Sequence, residues 1–188
     1  LEKDEVKISR IFLGEKPTNI FDYSKPLRIL IVKDKNTKGL LGPEFYHPRY
    51  RDQSDLRFIG LCRFIGKNSI AEGHDSTGSW GYGKSVIWSN NNTRIALFNS
   101  KLVDPFSDTG GVTITNRAIG HLMVPDYVTD DDKAYSGDIY FGLPEDDGSV
   151  KSIWNDESSA FANDLNINDF KVDVPGTAIM IPGFEPGD

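Results

Sequence analysis

One stretch of the chain sets glycines against a lysine and a serine: Gly78-Ser79-Trp80-Gly81-Tyr82-Gly83-Lys84-Ser85. Two spacings fit it at once. Read as G-x-x-x-x-G-K-S, backbone amides cradle phosphates while the lysine meets the outer groups. Read as G-x-x-G-x-G ahead of a helix, it is a loop able to close over a triphosphate. The physical idea is shared. Glycines let N–H groups come close to an anion, and a helix N-terminus adds favourable partial charge. A second polar corner lies upstream. Leu27-Arg28-Ile29-Leu30-Ile31-Val32 is nearly continuous and β-branched, the pattern of a strand buried on both faces, and it runs into Asp34-Lys35-Asn36-Thr37-Lys38-Gly39. A strand that delivers an aspartate into a glycine-containing turn is a common way to build a site. Late in the chain Gly176-Thr177 opens another apolar run, Ala178-Ile179-Met180-Ile181.

The elements that must position these residues follow from periodicity and breakers. Val6–Phe12 reads as a strand and Lys16–Ser24 as a loop. A helix is expected over 54–66, and another from Lys84 to Ser89, stopped by Asn90-Asn91-Asn92. Arg94–Phe98, 117–123, 138–142 and 177–181 read as strands, and Ser158–Leu165 as a short helix. Many strands and few helices predict one α+β domain over 1–188, a mixed β-sheet with helices packed on one face. A P-loop must follow directly from a buried strand. Ala71-Glu72-Gly73-His74-Asp75-Ser76-Thr77 suits no such strand. The P-loop NTPase reading of Gly78–Ser85 therefore stands as an alternative only.

The order of these pieces resembles the GHKL ATPase superfamily (gyrase, heat-shock chaperone, histidine kinase, MutL). That family has an apolar strand ending in Asp and a Gly-containing turn, a lid, a G-x-x-G-x-G box, and a late Gly-Thr before the last strand. Here these are Leu27–Val32 into Asp34 and Gly39, a lid-like span at about 40–77, Gly78/Gly81/Gly83, and Gly176-Thr177. The first box departs from D-x-G-x-G, with Asn36 in place of the first glycine and one extra residue before Gly39. The resemblance implies a Bergerat-like α/β sandwich that binds ATP with Mg²⁺ and gates a larger protein. By it, Asp34 accepts a hydrogen bond from the adenine amino group, and Thr177 supports that cluster through water. Asn36 and Gly39 belong to the base-side loop, Gly78, Gly81 and Gly83 wrap the phosphates, and Lys84 and Ser85 touch them. Each residue also has a plainer role: a turn Asp, an ordinary left-handed Gly, a flexible hairpin, a solvated Lys, a β-favouring Thr. The family's water-activating acid and Mg²⁺-holding Asn sit on a helix before the first strands. Glu2 and Glu5 have no Asn at helical spacing, so no catalytic base is assigned, and whether this domain alone is an ATPase stays open.

Composition narrows the classes. With 188 residues, 38% of them hydrophobic and 26% charged, the chain is long enough to bury a core. A net charge of −7 argues against a broad nucleic-acid footprint, which is normally basic. The lone cysteine, Cys62, excludes an internal disulfide, reads as a buried thiol and fits a reducing compartment. No apolar run approaches the roughly 20 residues of a membrane span. Leu1 without a preceding Met, and a last strand close to Asp188, read as cut ends. The expectations are a cytoplasmic domain whose partners are ATP, further domains of the same protein and a nucleotide-dependent second copy, with no membrane. A non-catalytic interaction domain is the other alternative. His47, His74 and His121 are too scattered for a metal site, and Asp130-Asp131-Asp132 and Asp146-Asp147 lack EF-hand spacing. Trp80 is expected to pack the lid, and Trp88 and Trp154 to lie in the core.

Overall fold

The structure, a computed structural model, describes residues 26–46, 55–63, 82–108 and 110–186. Its centre is a six-stranded sheet built from β1 (Ile29–Lys33), β2 (Ile95–Ser107), β3 (Thr113–Met123), β6 (Asp138–Phe141), β9 (Ile153–Trp154) and β10 (Gly176–Pro182). The order is β1-β10-β2-β3-β6, with β9 also on β3. Two-residue strands β4 (Tyr127–Val128) and β5 (Ala134–Tyr135) pair with each other, as do β7 (Leu143–Pro144) and β8 (Val150–Lys151). Every pairing among the described residues is antiparallel, where the sequence reading expects a mixed sheet. The coarse class holds: a sheet-dominated α+β arrangement with few helices.

Alternation along the strands divides the core into two faces, because successive side chains on a strand point opposite ways. Phe98 and Ala96 of β2, with Ile119 of β3, meet Leu40, Phe58, Ile59, Cys62 and Trp88. The cover there is helix α1 (Tyr82–Ser89) and a π-helical turn (Ile59–Arg63). Leu97, Ala178 and Met180 face the other way, onto Ala162, Phe161 and Phe170. That cover is helix α2 (Asn155–Asp164) and the 3₁₀ turn Asn168–Phe170. Helical covers thus lie on both faces rather than one, because the sheet is apolar on both sides.

The local signals explain the boundaries. Asn91 donates its side-chain amide to the Ile87 carbonyl at 2.6 Å, closing the end of α1 where the asparagine run was expected to stop it. Asp156 and Glu157 occupy the first turn of α2, where the helix dipole favours negative charge. The β2–β3 hairpin is longer than its sequence pattern, and its register shifts between Lys101 and Phe106. Its turn is tied by Asp108, whose Oδ1 accepts the N–H groups of Gly110 (2.9 Å) and Val112 (3.0 Å). The helix expected over 54–66 is described through Arg63 and takes the π-helical form. β1 corrects its expectation. Among the described residues it is an edge strand, and Leu27, Ile29 and Val32 are exposed rather than buried on both faces. The expected strand at Val6–Phe12, the loop at Lys16–Ser24, and most of the lid-like span lie outside the described residues.

Candidate functional site

The β1–β10 pairing brings Asp34 beside Thr177. The register sets Lys33 opposite Ala178, and the next residues continue the ladder, with the Asp34 N–H donating to the Thr177 carbonyl at 2.9 Å. The Thr177 N–H returns a bond to Asp34 Oδ1 at 2.5 Å, and the Thr37 hydroxyl donates to the same oxygen at 3.0 Å. No described residue bonds Oδ2. The carboxylate is therefore fixed in orientation while one oxygen keeps its acceptor capacity.

Two glycines allow this closeness. A Cβ on Gly176 would lie 2.5 Å from the Asp34 carbonyl oxygen and 2.9 Å from its Oδ1. Gly39, at φ +70°, lies so near β2 that a Cβ would stand 2.4 Å from the Lys101 carbonyl oxygen. Asn36 also holds the left-handed region, at φ 57°, one of the few conformations asparagine shares readily with glycine.

Around this corner is a pocket of ≈ 270 Å³. Val32, Leu40, Leu61 and Ile179 give it apolar walls. Asp34, Thr37 and Thr177 supply its polar edge, and Lys38 a positive charge. The arrangement suits a flat, partly apolar group that presents a hydrogen-bond donor and carries negative charge nearby. Arg57 is shared with Asp55 at 2.5 Å, and the Lys33 ammonium donates to the Lys171 carbonyl.

Of the residues singled out from sequence, Asp34, Gly39 and Thr177 line one pocket. Asn36 shapes the loop but is not among the lining residues. Gly78 and Gly81 lie outside the described residues, as do Trp80, His47 and His74. Gly83 falls in the first turn of α1. Lys84 and Ser85 follow it there, and the Lys84 ammonium donates to the Gly60 carbonyl of the π-helical turn. Burial pushes the Lys84 pKa down. Cys62 is buried, as read, and burial raises its thiol to about 12, which leaves it inert. Trp88 is a core residue. His121 is a packing residue too, stacked on Tyr140 at 4.4 Å and bonded through Nε2 to Asp138 Oδ1 at 3.1 Å.

Sequence reasoning missed a second polar cluster, joined to the pocket through Leu40. Glu44 is buried, and its carboxylate takes the Arg117 guanidinium, the Ser152 hydroxyl (2.5 Å) and N–H (2.9 Å), and the Trp154 indole N–H (3.0 Å). Burial works to raise its pKa, but Arg117 and the bonds from Ser152 and Trp154 outweigh that and hold it below the ordinary value. Arg117 is 1% exposed. Its Nη1 donates to the carbonyls of Leu40 (3.1 Å) and Gly42 (2.7 Å), its Nε to Ser152 Oγ (3.2 Å), and its plane lies 3.7 Å over the Phe58 ring. The only sequence signal was a cation in β3, between Asn116 and the apolar Ala118-Ile119.

The chain matches no protein-family model, no curated protein and no solved structure. Among the described residues no helix is long and apolar enough to cross a membrane. Among the same residues no group of three or more His, Cys, Asp or Glu side chains could hold a metal ion.

Proposed function

We propose that this pocket receives the base of an adenine nucleotide, and that the chain is an ATP-binding domain of the GHKL type, Bergerat-like in its fold. Its use is to couple nucleotide binding to a conformational change in a larger protein. The observation that carries the reading is Asp34: an aspartate at a strand end, oriented by Thr177 and Thr37 through one oxygen, in an apolar-walled pocket. Its other oxygen can accept the exocyclic amino group that adenine presents. Lys38 at the pocket's edge supplies a positive charge for a phosphate-bearing ligand in a chain that is acidic overall. Asn36 in a left-handed conformation supports its standing in for the glycine of the family's first box. The antiparallel sheet counts against a P-loop NTPase, whose phosphate loop belongs to a βαβ arrangement. The cover on α2's face is an addition to the one-sided layout that the family implies.

The test is calorimetric titration of the whole chain with ATP, ADP and GTP, with Mg²⁺ at matched salt. Adenine nucleotides are expected to bind, and GTP, which presents a carbonyl where adenine has its amino group, to bind at least about tenfold more weakly. Equal affinity for ATP and GTP, or no adenine binding, sinks the reading. Steady hydrolysis is expected to be slow, since no described residue serves as base and such a group is typically worth 10²–10⁴-fold.

A further inference from the structure

We infer that Arg117 and Glu44 form a buried positioning pair that holds the Gly39–Glu44 segment, and with it the Leu40 wall of the pocket, in the shape a ligand meets. The pair acts through the loop and does not itself line the pocket. Leu40 is pinned to the sheet twice. Its N–H donates to Ser100 Oγ of β2 at 2.9 Å, and its carbonyl accepts from Arg117 of β3. The same Ser100 hydroxyl donates to the Gly176 carbonyl at 2.8 Å and stands 3.2 Å from Thr177 Oγ1, so the Leu40 wall and the Asp34–Thr177 corner share one anchor. The Leu41 carbonyl accepts from the Phe58 N–H at 2.9 Å, which ties the segment to the helical turn bearing Leu61.

Stability alone does not account for such a pair. Two charges withdrawn from water recover little over a well-packed apolar filling. What the guanidinium supplies, and an apolar side chain cannot, is a set of donors aimed at the loop carbonyls of Leu40 and Gly42, with Glu44 compensating its charge. Arg63 reinforces the cluster, with its Nη2 3.4 Å from Glu44 Oε2 and 2.6 Å from the Val150 carbonyl, and its plane over Phe45, Phe58 and Tyr140.

The test uses the whole chain and the double substitution Arg117→Met/Glu44→Gln, which removes the pair's two charges together and leaves Arg63 the Val150 carbonyl and an amide oxygen to bond. Two quantities are read: amide hydrogen exchange across 39–44, and the urea midpoint. The expected result is a midpoint near that of the wild type with exchange across 39–44 faster by roughly tenfold, the equivalent of one lost charged hydrogen bond. Arg117→Lys, which keeps the charge but loses the guanidinium fork, should fall between. A folded double variant whose 39–44 amides exchange as in the wild type overturns the inference. Should that variant fail to fold, Arg117→Lys decides: exchange across 39–44 unchanged from the wild type overturns the inference, and faster exchange there with the urea midpoint held upholds it. ATP affinity is a third reading, and only this one rests on the nucleotide proposal; it should fall roughly tenfold with the loop loosened. A wild type that binds no ATP defeats that proposal and leaves the pair to be judged on exchange.

Discussion

Asp34 and Glu44 are carboxylates in one continuous loop, and the fold treats them in opposite ways. Asp34 is exposed, with one oxygen engaged by Thr177 and Thr37 and the other taking no bond from a described residue. Glu44 is sealed in, and Arg117, Arg63, Ser152 and Trp154 use both of its oxygens. The difference separates two tasks that residue type cannot. A carboxylate with all its acceptor capacity consumed inside the protein organises structure. One with capacity left over, held still by its other half, is equipped to meet something from outside.

The comparison breaks most visibly if Glu44 is removed alone. Glu44→Ala leaves Arg117 charged and buried without its counterion, and the expected loss is about 3–5 kcal/mol of folding stability by urea denaturation. A loss under about 1 kcal/mol would mean that Glu44 is no more embedded than Asp34. The converse change is Asp34→Asn. An asparagine Oδ1 can still accept from Thr177 and Thr37, so the urea midpoint should stay put. The amide that replaces Oδ2 meets the adenine amino group donor to donor, and ATP binding should weaken by about 1.5–3 kcal/mol in calorimetry. Unchanged affinity in a folded variant removes Asp34 as the base reader.

The gentlest effect is one of pH, and it sharpens the contrast by adding a third titrating group. Burial holds the pKa of His121 below its ordinary 6.5, with Asp138 opposing the shift and Arg63 adding to it. The unfolded chain therefore binds a proton that the folded one refuses. The stability from neutral His121 is complete above about pH 6.5 and declines as the pH falls toward the folded value. Thermal midpoints should be level above neutrality and slip below it, and His121→Phe should flatten that slope. Glu44, whose pKa is also depressed, contributes a separate loss only below its ordinary 4.5. A midpoint that rises on mild acidification would contradict the sign for His121.

How much of this was legible in the sequence depended on whether the signal was local. β-branched runs marked β1 and β10, the asparagine run marked the end of α1, and the Asp-to-Gly turn and the Gly-Thr step marked two sides of one corner. That Asp34 and Thr177 would touch required the register of strands from opposite parts of the chain, which no local pattern contains. β1 looked doubly buried because its composition is that of a central strand; its place at the edge among the described residues is a fact of topology. The Glu44–Arg117 pair was invisible for a related reason. A glutamate in an irregular loop and an arginine in a strand each read as surface charges until the fold sets them together. The helical covers on both faces were readable in principle, since Ile95–Phe98 and Ala178–Ile181 are apolar without alternation. That pattern was assigned to β1 alone.

The bond between Thr177 and Asp34 spans 143 positions of sequence. A chain emerging during synthesis exposes Asp34 well before Thr177, the residue that orients it 143 positions later. Until β10 inserts between β1 and β2, the carboxylate has neither its Thr177 tether nor the Ile179 wall beside it. Pairings of such long range are slow to form and come late. The corner is thus assembled by the step that inserts β10, so a ligand gripped there distinguishes a chain that has placed this strand from one that has not.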